Sequence, residues 1–272
     1  MHIGDIVPSV IKALLERKDY PEMPTTLPAL DKVIWGLHPA ELLIIGGRPG
    51  SGKSALALQI AYKMSAFKNV AFLSLEMTKE QMVERILCNE YSLTSEDLRN
   101  GYCMEKIKRD GDMWINGLKP NKFLMVDDIG RTPESIENYI ESLSPMPDVI
   151  FIDHLQHITV KRGNKLEALD DYVRFLKHFA LRHKISIVLC SQLNRAAEDR
   201  DRPRLHHLKG CGSTEEVSDV VILLWNQEEK TTLLIEKQRN GPVGGVDVTF
   251  NKIFFRFEKY NFKPKQENIW EK

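Results

Sequence analysis

From residue 42 onward, apolar runs of strand length alternate with stretches in which apolar residues recur at helical spacing. The runs are LLIIG (42–46), VAFLSLE (70–76), FLMVDD (123–128), DVIFID (148–153), SIVLCSQ (186–192), VVILLW (220–225) and TTLLIEKQR (231–239). Helices are predicted between the first five, over 78–92, 132–143 and 166–183 among others, and Leu56, Ile60 and Met64 share one face of another. Near-continuous apolar strands separated by helices imply a parallel sheet covered on both faces. The last runs are joined by short loops, and VDVTF with IFFRFE reads as an antiparallel extension. The fold class is α/β, with one domain over residues 24–272.

Residues 1–23 read as a helix and a loop ahead of that domain. DIVPSVIKALLERK (5–18) is amphipathic, with Pro8 tolerable in its first turn. The following DYPEMPTTLPALD carries Pro21, Pro24 and Pro28 without periodicity and reads as a linker or loop. The helix's apolar face needs a partner, either its own domain or a neighbouring subunit.

Composition narrows the class. Apolar residues make up 42% of the 272, enough for a sizeable core, and no apolar run reaches the roughly 18 residues of a membrane span. The start of the chain lacks an apolar signal core, so a cytoplasmic protein with no membrane contact is expected. Cys88, Cys103, Cys190 and Cys211 are scattered without C-x-x-C spacing and read as reduced, mostly buried residues. Zero net charge argues against nucleic-acid binding by the whole surface and leaves local basic loops open.

The chemistry starts at GGRPGSGKSAL (46–56), where Gly47, Gly52, Lys53 and Ser54 fit G-x-x-x-x-G-K-[ST]. A strand precedes it and a helix follows, the context that makes the motif a phosphate cradle. The loop residues Gly47, Arg48, Pro49, Gly50, Ser51, Gly52, Lys53, Ser54 and Ala55 would surround the phosphates of ATP. Glycines let amide N–H groups turn inward, and the helix N-terminus adds partial positive charge. Lys53 would reach the β- and γ-phosphates, and Ser54 would ligate Mg²⁺.

In open α/β sheets, function gathers at the carboxyl ends of the strands. VIFID ends in Asp153, suited to holding Mg²⁺; FLSLE ends in Glu76, suited to polarising an attacking water; IVLCSQ ends in Gln192, an amide able to sense a γ-phosphate. Asp127 and Asp128 compete for the metal role but read as turn formers, with Thr132 as the N-cap that follows.

The segments GRPGSGKSALALQIA, FLSLEMTKEQMVERILC, VIFIDHLQ, IVLCSQLNRA, RPRLHHLKGCGSTEEVSDVVILL and EKQRNGPVGGVDVTF resemble, in order, the motifs of the DnaB-type replicative helicases, specifically their C-terminal ATPase domain. The resemblance runs from about residue 24 to residue 257. It implies a RecA-like P-loop core, a homo-oligomer, most simply a hexameric ring, and translocation on single-stranded DNA. It also implies contact with a primase and a helicase loader. Lys53 and Ser54 would bind phosphate and Mg²⁺, Glu76 would be the catalytic carboxylate, Asp153 the second metal residue and Gln192 the sensor. Arg239 in KQRNGP would be an arginine finger inserted into the neighbouring subunit's site, with Lys237 beside it.

Two basic segments would touch DNA. TVKRGNKLE holds Lys161, Arg162 and Lys165, and NRAAEDRDRPRLHHLKGCGS holds Arg195, Lys209, Gly210 and Gly212. Three residues depart from the family pattern: Gly210 replaces an acidic residue, Cys211 a serine, and His154 the common tyrosine. Two rival readings share the phosphate loop: a RecA- or KaiC-like DNA-dependent ATPase that does not unwind, and a small-molecule P-loop kinase. The SLEM and KQRNGP segments favour the helicase.

Overall fold

The structure is a computed structural model describing residues 21–118, 123–127, 129–159, 164–194, 202–208 and 212–261, with Ile3, Val7, Pro8, Ile11, Lys12 and Leu15 ahead of them. Among the described residues, nine strands form one sheet in the order β3-β2-β4-β5-β1-β6-β7-β8-β9. The central strand β1 (Leu42–Gly47) runs parallel to β5 (Ser186–Gln192) and to β6 (Val220–Asn226). Beyond β5 lie β4 (Val149–Asp153), β2 (Val70–Ser74) and β3 (Phe123–Val126), all parallel. On the other side β7 (Thr231–Gln238), β8 (Gly244–Asn251) and β9 (Arg256–Lys259) pair antiparallel, the predicted extension.

Alternation along each strand divides the core into two layers. Leu43 and Ile45 of β1 face a layer that holds Leu56, Ile60 and Met64 of α2 (Lys53–Met64), and Met82 and Ile86 of α3 (Lys79–Tyr91). Leu42 and Ile44 face the opposite layer, with Ile136 and Ile140 of α6 (Pro133–Ser142) and Tyr172, Leu176 and Phe179 of α7 (Lys165–His183). These four β1 residues are buried on the two faces of the sheet, which explains their continuous apolar run.

Local chemistry starts the helices where the sequence indicates. Thr78 and Gln81 form a reciprocal capping box on α3, the Gln81 N–H donating to Thr78 Oγ1 (3.3 Å) and the Thr78 N–H to Gln81 Oε1 (3.0 Å). Thr132 caps α6 by accepting from the Ser135 N–H at 3.2 Å, as predicted.

Three expectations need correction. The supposed linker over residues 19–31 contains the start of α1 (Pro28–Ile34), a short helix whose Leu30 and Ile34 enter the core. Proline at its first position fixes φ for a helix start, and Thr25 donates its N–H (2.7 Å) and hydroxyl (2.8 Å) to the buried Asp31 carboxylate. The stretch between α3 and β3 holds α4 (Ser95–Asn100) and α5 (Met104–Leu118), which the predicted elements leave out although Met104, Ile107, Trp114, Ile115 and Leu118 recur at helical spacing. Strands β2 and β3 end at Ser74 and Val126, so Glu76 and Asp127 stand in the turns beyond them.

The described positions of the N-terminal helix, Ile3, Val7, Ile11 and Leu15 among them, are helical and exposed. Among the described residues, no helix is long and apolar enough to cross a membrane. Cys88, Cys103 and Cys190 are buried free thiols, as expected; Cys211 lies outside the described residues.

Candidate functional site

Sheet register aligns the ends of four strands. Gly47 at the end of β1 pairs with Gln192 of β5, and Ser74 of β2 pairs with Asp153 of β4. At this edge a cleft of about 450 Å³ is lined by Pro49, Gly50, Gly52, Lys53, Ser54 and Ala55 of the glycine-rich loop. Glu76, His154 and Gln192 complete it from the neighbouring strand ends.

The loop's conformation requires its glycines. Gly50 and Gly52 have φ of +73° and +99°, and Gly52 is the N-cap of α2. A Cβ on Gly47 would lie 2.4 Å from Ser51 Oγ, and one on Gly52 2.7 Å from the Phe250 ring. Lys53, the first residue of α2, folds its Nζ back to donate to the Arg48 carbonyl at 3.1 Å. The Arg48 guanidinium in turn donates to the Asn194 carbonyl at 3.1 Å, joining the loop to the end of β5. Burial lowers the pKa of Lys53, opposed by neighbouring Cys190, Asp153 and Glu76. Burial also pushes the Cys190 thiol well up, so it stays protonated.

Asp153 is 1% exposed and, among the described residues, neither carboxylate oxygen has a partner at hydrogen-bond geometry, the neighbouring Cys190 thiol being at most a weak donor to it. A carboxylate removed from water without partners is costly, which fits a residue built to meet a cation. Ser51 Oγ is likewise buried without a partner among the described residues. Together with Lys53 and the N-terminus of α2, these groups suit a triphosphate with its divalent ion. Glu76 stands exposed at the cleft, its Oε2 3.1 Å from His154 Nδ1. Burial lowers the His154 pKa, opposed by Asp153 and Glu76 and reinforced by His157 and Lys53.

Gln192 is held by its backbone. Its N–H donates to Gln156 Oε1 at 2.9 Å, and Gln156 Nε2 donates to Ser191 Oγ at 3.0 Å. Lys165, at the start of α7, donates to the Gln156 carbonyl at 3.2 Å, so a predicted DNA-contacting residue touches the clamp that holds Gln192. Asp127, read as a turn former, instead braces the start of α3: it accepts the Lys79 N–H at 2.7 Å, and the Lys79 ammonium is 3.2 Å away.

Arg239 and Lys237 are elsewhere. The Arg239 N–H donates to the Asp219 carbonyl (2.9 Å), and the Asp219 carboxylate accepts the N–H of Leu42, where β1 begins (2.7 Å). The Arg239 guanidinium donates to the Glu216 carbonyl (2.9 Å), and Lys237 Nζ donates to the carbonyls of Glu215 and Glu216. Both cations therefore hold α8 (Gly212–Val217), whose exposed first residue is Gly212. Burial lowers the Lys237 pKa, and adjacent Arg239 lowers it further. Lys161, Arg162, Arg195, Lys209, Gly210 and Asp128 lie outside the described residues.

The cleft also contains residues that sequence reasoning passed over: Arg85 and His157, and Phe250, Lys252 and Phe255 from the β8–β9 hairpin. The Arg85 guanidinium carbon lies 5.1 Å from the Phe255 ring centroid, and burial lowers the Arg85 pKa. The hairpin is anchored by buried Gln59, whose Nε2 donates to the Phe257 carbonyl (2.9 Å) and whose Oε1 accepts the Phe257 N–H (2.8 Å). Asn89 Nδ2 joins this clamp by donating to the Phe255 carbonyl (2.9 Å). The only sequence signal was a polar Gln59 on an apolar helix face.

Residues 22–259 match the DnaB-like helicase C terminal domain family. A replicative DNA helicase DnaB of Buchnera aphidicola is 34% identical over 83% of this chain and 53% of its own length. A replicative DNA helicase DnaC of Bacillus subtilis is 32% identical over 91% of this chain and 59% of its own. The chain thus spans little more than half the length of these curated relatives. Among solved structures, a DnaB-like replicative helicase superposes with a TM-score of 0.82 over 96% of this chain and 67% of its own, at 23% identity, a likeness of fold. With its RecA-like core and its motifs in register, the chain belongs to the DnaB-like helicase C-terminal domain family.

Proposed function

We propose that the chain is the ATP-driven motor of a ring-forming replicative DNA helicase, moving on single-stranded DNA and separating duplex. The observation that carries this reading is the convergence of Lys53, Ser54, Glu76, Asp153 and Gln192 at one sheet edge, with Arg239 at the opposite edge. A phosphate site separated in this way from its candidate finger is what an assembly with shared sites requires.

In this reading Lys53, the loop amides and the N-terminus of α2 bind the phosphates of ATP, while Ser54 and Asp153 hold Mg²⁺, which supplies charge neutralisation on the phosphate oxygens. Glu76 orients the attacking water and takes its proton. Gln192, fixed through Gln156, reports the phosphate state towards Lys165 and the segments with Lys161, Arg162, Arg195, Lys209, Gly210 and Gly212, which follow the DNA backbone. Arg239 of one protomer, with Lys237 beside it, stabilises the transferring phosphoryl group bound to the next; a finger supplied in trans is worth roughly 10³–10⁵ in rate. A hexameric ring is the simplest closed assembly, with residues 1–23 as a linker helix and loop towards a neighbour. Primase and a loader are its expected partners, and the cytoplasm its expected location.

ATP hydrolysis stimulated by single-stranded DNA, together with unwinding of a forked duplex, tests the proposal. Stimulation without unwinding would favour a KaiC-like or RecA-like ATPase instead. Hydrolysis indifferent to DNA would remove both.

A further inference from the structure

Beside the phosphate loop, three side chains form a cluster that the helicase chemistry does not use as a set. One ligand atom each from Glu76, His154 and His157 lies within 4.8 Å of the others. Glu76 Oε2 and His154 Nδ1 are 3.1 Å apart, and the two imidazole rings meet edge to face with centroids at 4.4 Å. His154 is 8% exposed, and among the described residues its Nδ1 has no hydrogen-bond partner despite the carboxylate beside it. A buried ring nitrogen in this state is a donor atom suited to a cation. His157 follows on the short turn Leu155–His157 and also lines the cleft.

We infer that Glu76, His154 and His157 form a binding site for a borderline divalent transition ion of the Zn²⁺ class, separate from the Mg²⁺ of the hydrolytic reaction. The donor set decides the class. Two imidazoles and one carboxylate suit Zn²⁺, Co²⁺ or Ni²⁺, whereas Mg²⁺ takes oxygen ligands and keeps its waters. Ligand bonds of about 2.0–2.2 Å place neighbouring donors around a tetrahedral ion roughly 3.3 Å apart. The Glu76–His154 spacing already matches. His157, half-buried on its turn, and Glu76, exposed beyond the end of β2, have the side-chain freedom to close the rest. Asp153, with Oδ1 3.9 Å from His154 Nδ1, adds negative charge that offsets nearby Lys53.

The consequence rests on the proposed function. An ion held here occupies the carboxylate of Glu76, so binding removes the base that activates water. Zn²⁺-class ions then act as inhibitors of Mg²⁺-supported hydrolysis.

Titration of nucleotide-free protein with Co²⁺, followed by the visible absorption of the tetrahedral ion and by displacement with Zn²⁺, tests the site without any hydrolysis. One ion per chain is expected in wild type, with affinity falling at least about tenfold in His157→Gln and in His154→Tyr. The tyrosine variant restores the residue common in the family, and far-UV circular dichroism checks that both variants fold. Binding unchanged in both, or lost only in Asp153→Asn, overturns the site. A second arm measures Mg²⁺-ATP hydrolysis at buffered free Zn²⁺. Inhibition should be strong in wild type and should require at least about tenfold more Zn²⁺ in His157→Gln. Co²⁺ binding as expected with hydrolysis indifferent to Zn²⁺ overturns the inhibitory consequence alone. Co²⁺ binding in a protein without ATPase activity overturns the proposed function and leaves the ion site standing.

Discussion

Arg239 and Lys53 stand at opposite ends of strand β1. Arg239 is tied to Asp219, which binds the N–H of Leu42 at the start of the strand, while the loop carrying Lys53 follows Gly47 at its end. Six extended residues separate those ends by roughly 17–20 Å. An arginine side chain does not cross that distance over a packed sheet, so Arg239 does not reach a phosphate held by the loop of its own chain.

Replacing Lys53 by Ala should reduce hydrolysis by at least about 10²-fold and weaken nucleotide binding, because the buried ammonium is the point charge for the phosphates. Steady-state ATPase assays and binding of a fluorescent ATP analogue check this. Near-normal turnover would contradict the phosphate-loop assignment.

Glu76→Gln should keep nucleotide binding and lose roughly 10²–10⁴-fold in hydrolysis, the range for removing a general base. Single-turnover kinetics separate the two effects. Normal hydrolysis in Glu76→Gln beside a dead Asp153→Asn would move the base elsewhere.

Asp219 makes a stability prediction. Its carboxylate accepts from Lys177 Nζ at 2.6 Å and from the Leu42 N–H, in a pair with side chains only 7% and 12% exposed. Asp219→Ala leaves the buried Lys177 ammonium without its ion-pair partner, holding only the Ala40 carbonyl (2.9 Å), and should cost about 3 kcal/mol. Urea unfolding measures it; a loss under about 1 kcal/mol would mean that water takes over the role of Asp219.

The charge prediction concerns Lys161, Arg162 and Lys209. Replacing each by Ala should weaken single-stranded DNA binding and lower the slope of log affinity against log salt by about one unit per lost phosphate contact. Fluorescence anisotropy across a salt series reads this directly. An unchanged slope would place the DNA path on another surface.

The sheet and its phosphate loop were legible because they are written locally. Continuous apolar runs identify strands buried on both faces, and Gly47 to Ser54 are contiguous. Asp153, Glu76 and Gln192 could be read because strand ends in a parallel sheet share one edge. The wall formed by Phe250, Lys252 and Phe255 could not, since it arrives from a hairpin about 200 residues after the loop and depends on the buried Gln59 clamp. Helix α4 buries no residue and so carries no apolar stripe, whereas α5 has one in Met104, Ile107, Trp114, Ile115 and Leu118, its helix signal weakened by Gly111 and Gly117. In α1, Pro28 read as a breaker, although at the first helical position it helps to start the helix.

The most direct test of the account is complementation between two dead proteins. Arg239→Ala should fold, bind ATP and hydrolyse it poorly alone, and Lys53→Ala should be inactive alone. Subunit exchange, confirmed by energy transfer between labelled protomers, creates interfaces that pair an intact phosphate loop with an intact Arg239. The account predicts that DNA-stimulated ATPase activity reappears in the mixture and peaks at an intermediate ratio. Confirmed exchange with no recovery at any ratio would contradict it, because the site would then need nothing from a neighbour.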